Sequence, residues 1–169
     1  MKTAEDWIRE LNLEPHPEGG YYRQTDLSQA TFPSRGKDLP LYTNIHFLLT
    51  EDSPSHFHQL TSDELWFYHA GSPLTVHSIH PDGTYEKTHL GLGAGEKLQH
   101  TVKAGVIFGS TVEEGFSLVS CTVVPGFDFS DFRLFTQEEL LKSFPLHEEI
   151  IRKLAFKEIE AQGGPYEEK

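Results

Sequence analysis

From Leu41 to Val124 the chain is a succession of short runs in which apolar and polar residues alternate, and this pattern limits the fold more than anything else in the sequence. The runs Leu41–Leu49, Ser55–Gln59, Glu64–His69, Leu74–His80, Thr84–Leu90, Lys97–Val102, Val106–Phe108 and Phe116–Val124 have the period of half-buried strands. Turn residues separate them: Glu51–Pro54, Gly71-Ser72-Pro73, Pro81-Asp82-Gly83, Gly91–Gly95 and Glu113–Gly115. Pro81 presets φ and Gly83 accepts a positive φ, so that tripeptide predicts a hairpin. Many short strands at this spacing point to a sandwich or barrel rather than to βαβ units.

The ends have a different character. Thr3 followed by Asp6 predicts a helix start, with Trp7, Ile8 and Leu11 on one face, ending near Pro15-His16-Pro17. Glu18-Gly19-Gly20 reads as a turn, Tyr21-Tyr22-Arg23 as a strand, and the polar stretch Gln29–Pro40 as a loop. Thr136 and Glu139 have capping-box spacing and open a helix through Ser143; Pro145 interrupts, and Leu146–Phe156 follows with Ile150, Ile151 and Leu154 inward. The expectation is one domain over 1–169, with a barrel core over 18–135, helices over 136–156 and a loose tail over 157–169.

Composition narrows the partners. A net charge of −12 with Lys and Arg scattered, and Arg152-Lys153 set among acids, excludes a nucleic-acid surface. No stretch has the length of a membrane span, so no membrane partner is expected. Met1–Trp7 lacks a basic segment leading into an apolar one, and Cys121 has no second cysteine to pair with; a cytoplasmic protein is expected. Cys121 sits in an apolar run and reads as a buried structural thiol.

The chemistry concentrates at Ser55-His56-Phe57-His58 and Asp63-Glu64. Residues two apart in a strand share a face, so His56 and His58 project together, and an antiparallel return brings Glu64 towards them. Two imidazoles and a carboxylate form either a divalent-metal site or a hydrogen-bonded polar pocket. Among the ten histidines, His16, His77, His80, His89 and His147 lack a matched carboxylate and read as surface or structural. His69 faces away from Glu64, His46 is placed in the barrel interior, and His100 is the one candidate for an extra ligand.

These residues resemble the first motif of the cupin superfamily, G-x5-H-x-H-x(3,4)-E-x6-G, through His56, His58, Glu64 and Gly71. Thr50 replaces the leading glycine, and five residues rather than three or four separate His58 from Glu64. In the second motif, G-x5-P-x-G-x2-H-x3-N, only Gly105 matches, and Phe108 stands where the fourth ligand would be. Glu18–Arg23, Ser55–His58, Asp63–Trp66 and Pro125–Phe129 resemble a small cupin family of unassigned function, from Trp7 to Phe156. The resemblance implies an all-β, double-stranded β-helix (jelly-roll) barrel with a short N-terminal helix and two C-terminal helices. It also implies a fold like that of sugar-nucleotide 3,5-epimerases and a homodimer.

Three functions stay open at this point. One is isomerase- or epimerase-like proton transfer on a small polar or sugar-like molecule. His58 is then the base, Glu64 orients it, Arg23 holds an anionic group, and Tyr21 or Tyr68 donates a proton. The second is metal-dependent oxygenase or isomerase chemistry, with a divalent ion on His56, His58 and Glu64; no other cofactor is expected. The third is a non-catalytic module binding a small molecule against Trp66, Phe108 and other aromatics, with His46 facing the same interior.

Overall fold

The computed structural model describes residues 1–159. Helix α1 (Ala4–Glu10) leads into strands β1 (Glu14–Pro15), β2 (Tyr21–Leu27), β3 (Thr31–Ser34), β4 (Lys37–Pro40), β5 (Thr43–Thr50) and β6 (Ser55–Leu60). Strands β7 (Asp63–Gly71), β8 (Leu74–Ile79), β9 (Tyr85–Leu90), β10 (Gln99–Val102), β11 (Ile107–Thr111), β12 (Phe116–Val124) and β13 (Phe132–Leu134) follow, then α2 (Gln137–Ser143) and α3 (Glu148–Leu154). A six-stranded sheet runs β1-β2-β5-β12-β7-β10 and a five-stranded sheet runs β13-β6-β11-β8-β9. Neighbouring strands within both sheets pair antiparallel. The two sheets face each other across one apolar interior, as expected of a jelly roll.

Alternation decides which side chains fill that interior. Phe47, Leu49, Trp66, Val119, Cys121 and Val123 point inward from the six-stranded sheet and meet Leu60, Val76 and Phe108 of the other. The outer face of the larger sheet is closed by α1, whose Trp7, Ile8 and Leu11 pack near Leu13, Leu48 and Leu118. Thr3 and Asp6 form the reciprocal cap that starts this helix. The C-terminal helices cover the smaller sheet, with Ile151 and Leu154 buried beside Phe57 and Ile107, as the amphipathic pattern predicts. Thr136 caps α2 by accepting from the Glu139 N–H.

Two parts differ from the sequence reading. The expected loop Gln29–Pro40 contains the hairpin β3–β4, turned at Arg35 and Gly36 with positive φ (51° and 79°). Its prolines hide it, yet in a two-stranded ribbon Pro33 and Pro40 each leave one edge without a donor, which an edge tolerates. Strand β13 is three residues long and too short for its period to register. The tail expected over 157–169 lies, beyond residue 159, outside the described residues.

The turn before β2 is the tightest point. His16 donates its N–H to the Gly20 carbonyl (2.9 Å), and Gly20 donates to Ser53 Oγ (2.9 Å). A Cβ on Gly19 (φ 109°) would lie 1.8 Å from the Pro54 carbonyl oxygen, whereas one on Gly36 meets nothing within 4 Å. Gly36→Ala is therefore expected to lower stability by about 1–2 kcal/mol, the left-handed backbone penalty alone. Gly19→Ala adds a backbone clash, so urea unfolding should show a loss of roughly 3 kcal/mol or more. Equal losses in the two variants would contradict this account of the turn.

Candidate functional site

The turn at Gly19-Gly20 carries Glu18 under the barrel, where it is buried with 6% exposure. Its carbonyl oxygen accepts from the His56 N–H (2.6 Å) and from His56 Nδ1 (2.7 Å). Its carboxyl accepts from the Ser55 hydroxyl and meets His58 Nε2 at 3.2 Å and His16 Nδ1 at 3.3 Å. Strand alternation alone would not put Ser55 and His58 on one carboxyl. A bulge does so: Phe108 pairs with His58 and Ser110 with Ser55, so β6 holds one more residue than β11 in that interval. The bulge reverses the alternation and takes His56 out of the pocket, where its ring stacks on Phe156 at 3.8 Å.

Hydrogen bonding fixes the tautomers. A carbonyl only accepts, so His58 Nδ1, 2.7 Å from the His56 oxygen, carries the proton and leaves Nε2 as a lone pair towards Glu18. His16 Nδ1 accepts from the Glu18 N–H at 3.1 Å. Burial pushes His58 down to about 4 and His16 down to about 3. Burial, and then the charge of Glu64, raise the Glu18 carboxyl well above the usual carboxylate range, against the pull of Ser55. Burial thus favours the neutral form of each partner, a carboxylic acid beside a neutral imidazole, over an ion pair.

Glu64 lies across the same cavity on β7, with burial pushing its carboxyl up to about 7. The Cys121 thiol and Trp66 indole lie beside it and draw its pKa back, but neither Glu64 Oε2 nor Trp66 Nε1 makes a well-directed hydrogen bond. The thiol, buried beside Glu64 and Glu18, is held well above the ordinary cysteine range.

The cavity, about 200 Å³, is lined by His16, Glu18, Tyr22, Gln24, Thr43, Ile45, His58, Leu60, Glu64, Cys121, Val123, Phe127, Phe129 and Phe132. The phenylalanines form one wall, with Phe127–Phe129 ring centres 4.8 Å apart at 84° and Phe127–Phe132 5.9 Å apart at 65°. Phe127 is held by its N–H on Thr43 Oγ1 (2.9 Å). Lys37 and Arg35 of the β3–β4 hairpin tie this segment down at Asp131 (3.0 and 3.2 Å).

Several expected residues therefore stand elsewhere. His58 and Glu64 do line one cavity, but the residue in contact with His58 is Glu18. Tyr21 packs outward with the α1 cluster and Arg23 is exposed, because Tyr22 and Gln24 take the inward positions of β2. His46 also faces outward, its ring 6.4 Å from that of His69. Tyr68 donates its hydroxyl to the Gly71 carbonyl. Trp66 and Phe108 are core residues behind the cavity, Phe108 lying 4.2 Å from the His58 ring and closing its far side. His16, expected at the surface or in a structural role, is buried at the site. Its signal, with Glu18, was an acid and a histidine beside a double glycine, a place where the backbone can plunge inward.

The three expected metal ligands do not converge. His56 is spent on the Glu18 backbone, His58 Nε2 is turned to Glu18, and among the described residues no group of three His, Cys, Asp or Glu is arranged to hold an ion. The donor set does not fit a divalent metal.

Comparison with known proteins bears on the whole barrel. Residues 5–135 match the family described as Cupin superfamily (DUF985). The chain belongs to this family. An uncharacterised Saccharomyces cerevisiae protein, YML079W, is 33% identical over 160 residues, covering 83% of this chain and 79% of the yeast one. Protein SO0799 of Shewanella oneidensis has a similar structure, with TM-score 0.89, 46% identity and 94% of this chain matched to 100% of that one. A hypothetical Leishmania major protein is similar too, with TM-score 0.87, 44% identity and coverage of 92% and 99%. Bacillus subtilis oxalate decarboxylase shares the fold at 17% identity and TM-score 0.54, this chain matching 38% of its length. No helix among the described residues is long and apolar enough to cross a membrane.

The buried carboxyl makes a sign prediction. Because Glu64 is raised from 4.5 to about 7, the native state holds its proton through that window, and the stability associated with it is lost as pH rises through about 7. Glu64→Gln removes that loss. Thermal or urea unfolding should find the variant more stable at pH 8, by on the order of 2 kcal/mol, with the gap closing by pH 4.5. The histidines His16, His58 and His77, all lowered, weaken both proteins alike as pH falls below 6.5. A gap independent of pH would contradict the assignment.

Proposed function

We propose that this cupin binds a small polar molecule in the Glu18–His58–Glu64 cavity and isomerises it by proton transfer. The carrying observation is the contact itself: the Glu18 carboxyl and His58 Nε2 lie 3.2 Å apart and both line one cavity, where burial favours the neutral form of each. An acid and a base held side by side without charge can act together on a carbonyl and its neighbouring carbon. Glu18 gives its proton to the carbonyl oxygen, while His58 Nε2 takes the proton from the adjacent carbon. The C–H electron pair becomes the carbon–carbon double bond of an enol, and the couple becomes carboxylate and imidazolium. His58 returns its proton to the other carbon, or to the other face of the same one, while Glu18 takes back a proton from the enol hydroxyl that becomes the carbonyl; this gives the isomer or epimer and restores both groups.

The surrounding residues suit this division of labour. The Nδ1–H bond to the His56 carbonyl holds the imidazole in the reactive tautomer, and it supports the imidazolium when that forms. Ser55 keeps the Glu18 carboxyl in register. Glu64, on the other strand, serves as the binding group for the polar end of the ligand rather than as the orienting partner of His58. The phenylalanine wall excludes water from the enol.

The reading is tested by proton exchange, which needs no knowledge of the product. Candidate hydroxy- and amino-carbonyl compounds are incubated with the protein in D2O, and loss of the C–H signal next to the carbonyl is followed by NMR. At least one compound that binds in the cavity should exchange. His58→Ala should then slow exchange by about 10²–10⁴-fold while leaving affinity within a few-fold, and Glu64→Gln should weaken affinity first. A cavity ligand with an acidic C–H that never exchanges would leave a binding module and sink the catalytic part.

A further inference from the structure

The cavity has a charge character that the proton-transfer reading does not use. Among the described residues no lysine or arginine lines it, while two carboxyls, Glu18 and Glu64, do. Arg23, the cation expected to hold an anionic group, is on the outer face of β2. Lys37 and Arg35, the cations near the aromatic wall, are engaged with Asp128 and Asp131. The two histidines that line it are driven towards their neutral forms by burial, so neither supplies a formal charge. A phosphate, diphosphate or dicarboxylate entering here would shed its water and find no formal positive charge to replace it.

A second observation points to what is missing. Glu64 is 7% exposed and lines the cavity; the Cys121 thiol and the Trp66 indole lie beside its carboxyl, but neither makes a well-directed hydrogen bond to Oε2. A buried carboxyl this weakly served by the protein gains from a ligand that brings a donor, which a wholly apolar ligand would not. Tyr22, Phe127, Phe129 and Phe132 also line the cavity. An aromatic wall facing a carboxylate is the arrangement that attracts an ammonium or amidinium group, through the negative ring faces and the carboxylate together. The net charge of −12 draws such cations towards the surface and repels anions.

We propose that the ligand of this cavity is a small organic cation, an ammonium or amidinium group on an apolar or aromatic body. The charge sits at the Glu64 carboxyl and the body lies against Phe127, Phe129 and Phe132. The inference rests on the reading of the cavity as a small-molecule site and names the ligand class for it. It turns away from sugar nucleotides and other phosphorylated substrates and towards amino-carbonyl compounds, whose cationic nitrogen also acidifies the neighbouring C–H.

Three probes with one shared ring separate charge from shape: benzylammonium, benzyl alcohol and benzoate. Each is titrated into the full chain by calorimetry at pH 8, where Glu64 is ionised, with the Ile45 and Leu60 methyl groups followed by NMR to locate binding in the cavity. Benzylammonium should bind at least tenfold more tightly than benzyl alcohol, with benzoate weakest. Glu64→Gln, expected to fold with undiminished stability, should erase the tenfold preference and leave the alcohol's affinity nearly unchanged. Equal affinities, or benzoate binding most tightly, would overturn the charge assignment and leave the small-molecule reading standing. Failure of all three probes to shift the cavity methyls would overturn both.

Discussion

The contact between the Glu18 carboxyl and the His58 imidazole carries the rest of the site. It ties the segment before β2 to β6, and so joins a strand of the larger sheet to one of the smaller across the barrel mouth. Burying a carboxylate and an imidazolium together would strip both of water, and their attraction offsets that loss only with excellent geometry. A neutral pair avoids the loss and keeps the 3.2 Å contact. Burial drives both groups towards this outcome, against the Ser55 donor, which favours the carboxylate, and the His56 carbonyl, which favours the imidazolium; Phe108 covers the ring on the side away from the cavity.

That arrangement depends on two departures from regular backbone, and these explain what the sequence could and could not reveal. The barrel was legible from Leu41 to Val124, because alternation and turn residues report burial directly, and both sets of terminal helices showed their caps and faces. His58 and Glu64 were legible as pocket residues from strand parity and the return at Gln59–Asp63. His56 was not placed correctly, since a bulge of one residue inverts parity and leaves no mark in composition. The same limit applies to β2. Both of its faces are covered at the start, one by α1 and one by the cavity, so Tyr21 and Tyr22 look alike and only the register against Phe47 and Leu48 tells them apart. His16 and Glu18 lie in the turn between β1 and β2, where periodicity has nothing to say. The hairpin β3–β4 was missed because Pro33 and Pro40 suppress the strand signal on what is an isolated ribbon.

The barrel supplies an apolar interior, and strands, turn and loop together supply the groups that line the cavity. Glu64 comes from a strand, Glu18 from a turn, and the aromatic wall from the segment after β12, so the two carboxyls and the rings are held by separate parts of the chain. A change of ligand preference within this family can therefore arise in the segment Phe127–Phe132 or at Glu64 without touching the Glu18–His58 contact. The hairpin β3–β4 matters in this light less for its own stability than for where its Arg35 and Lys37 pin Asp131.

The central claim is that the Glu18–His58 couple is neutral, with the histidine proton on Nδ1. It is tested most directly by NMR of protein labelled with nitrogen-15 in histidine and carbon-13 in glutamate side chains. At pH 7 the His58 nitrogens should show a protonated Nδ1 and an unprotonated Nε2, unchanged on acidification towards about 4, with a Glu18 carboxyl shift of the protonated form. Two protonated ring nitrogens on His58 beside an ionised Glu18 carboxylate at pH 7 would contradict the account.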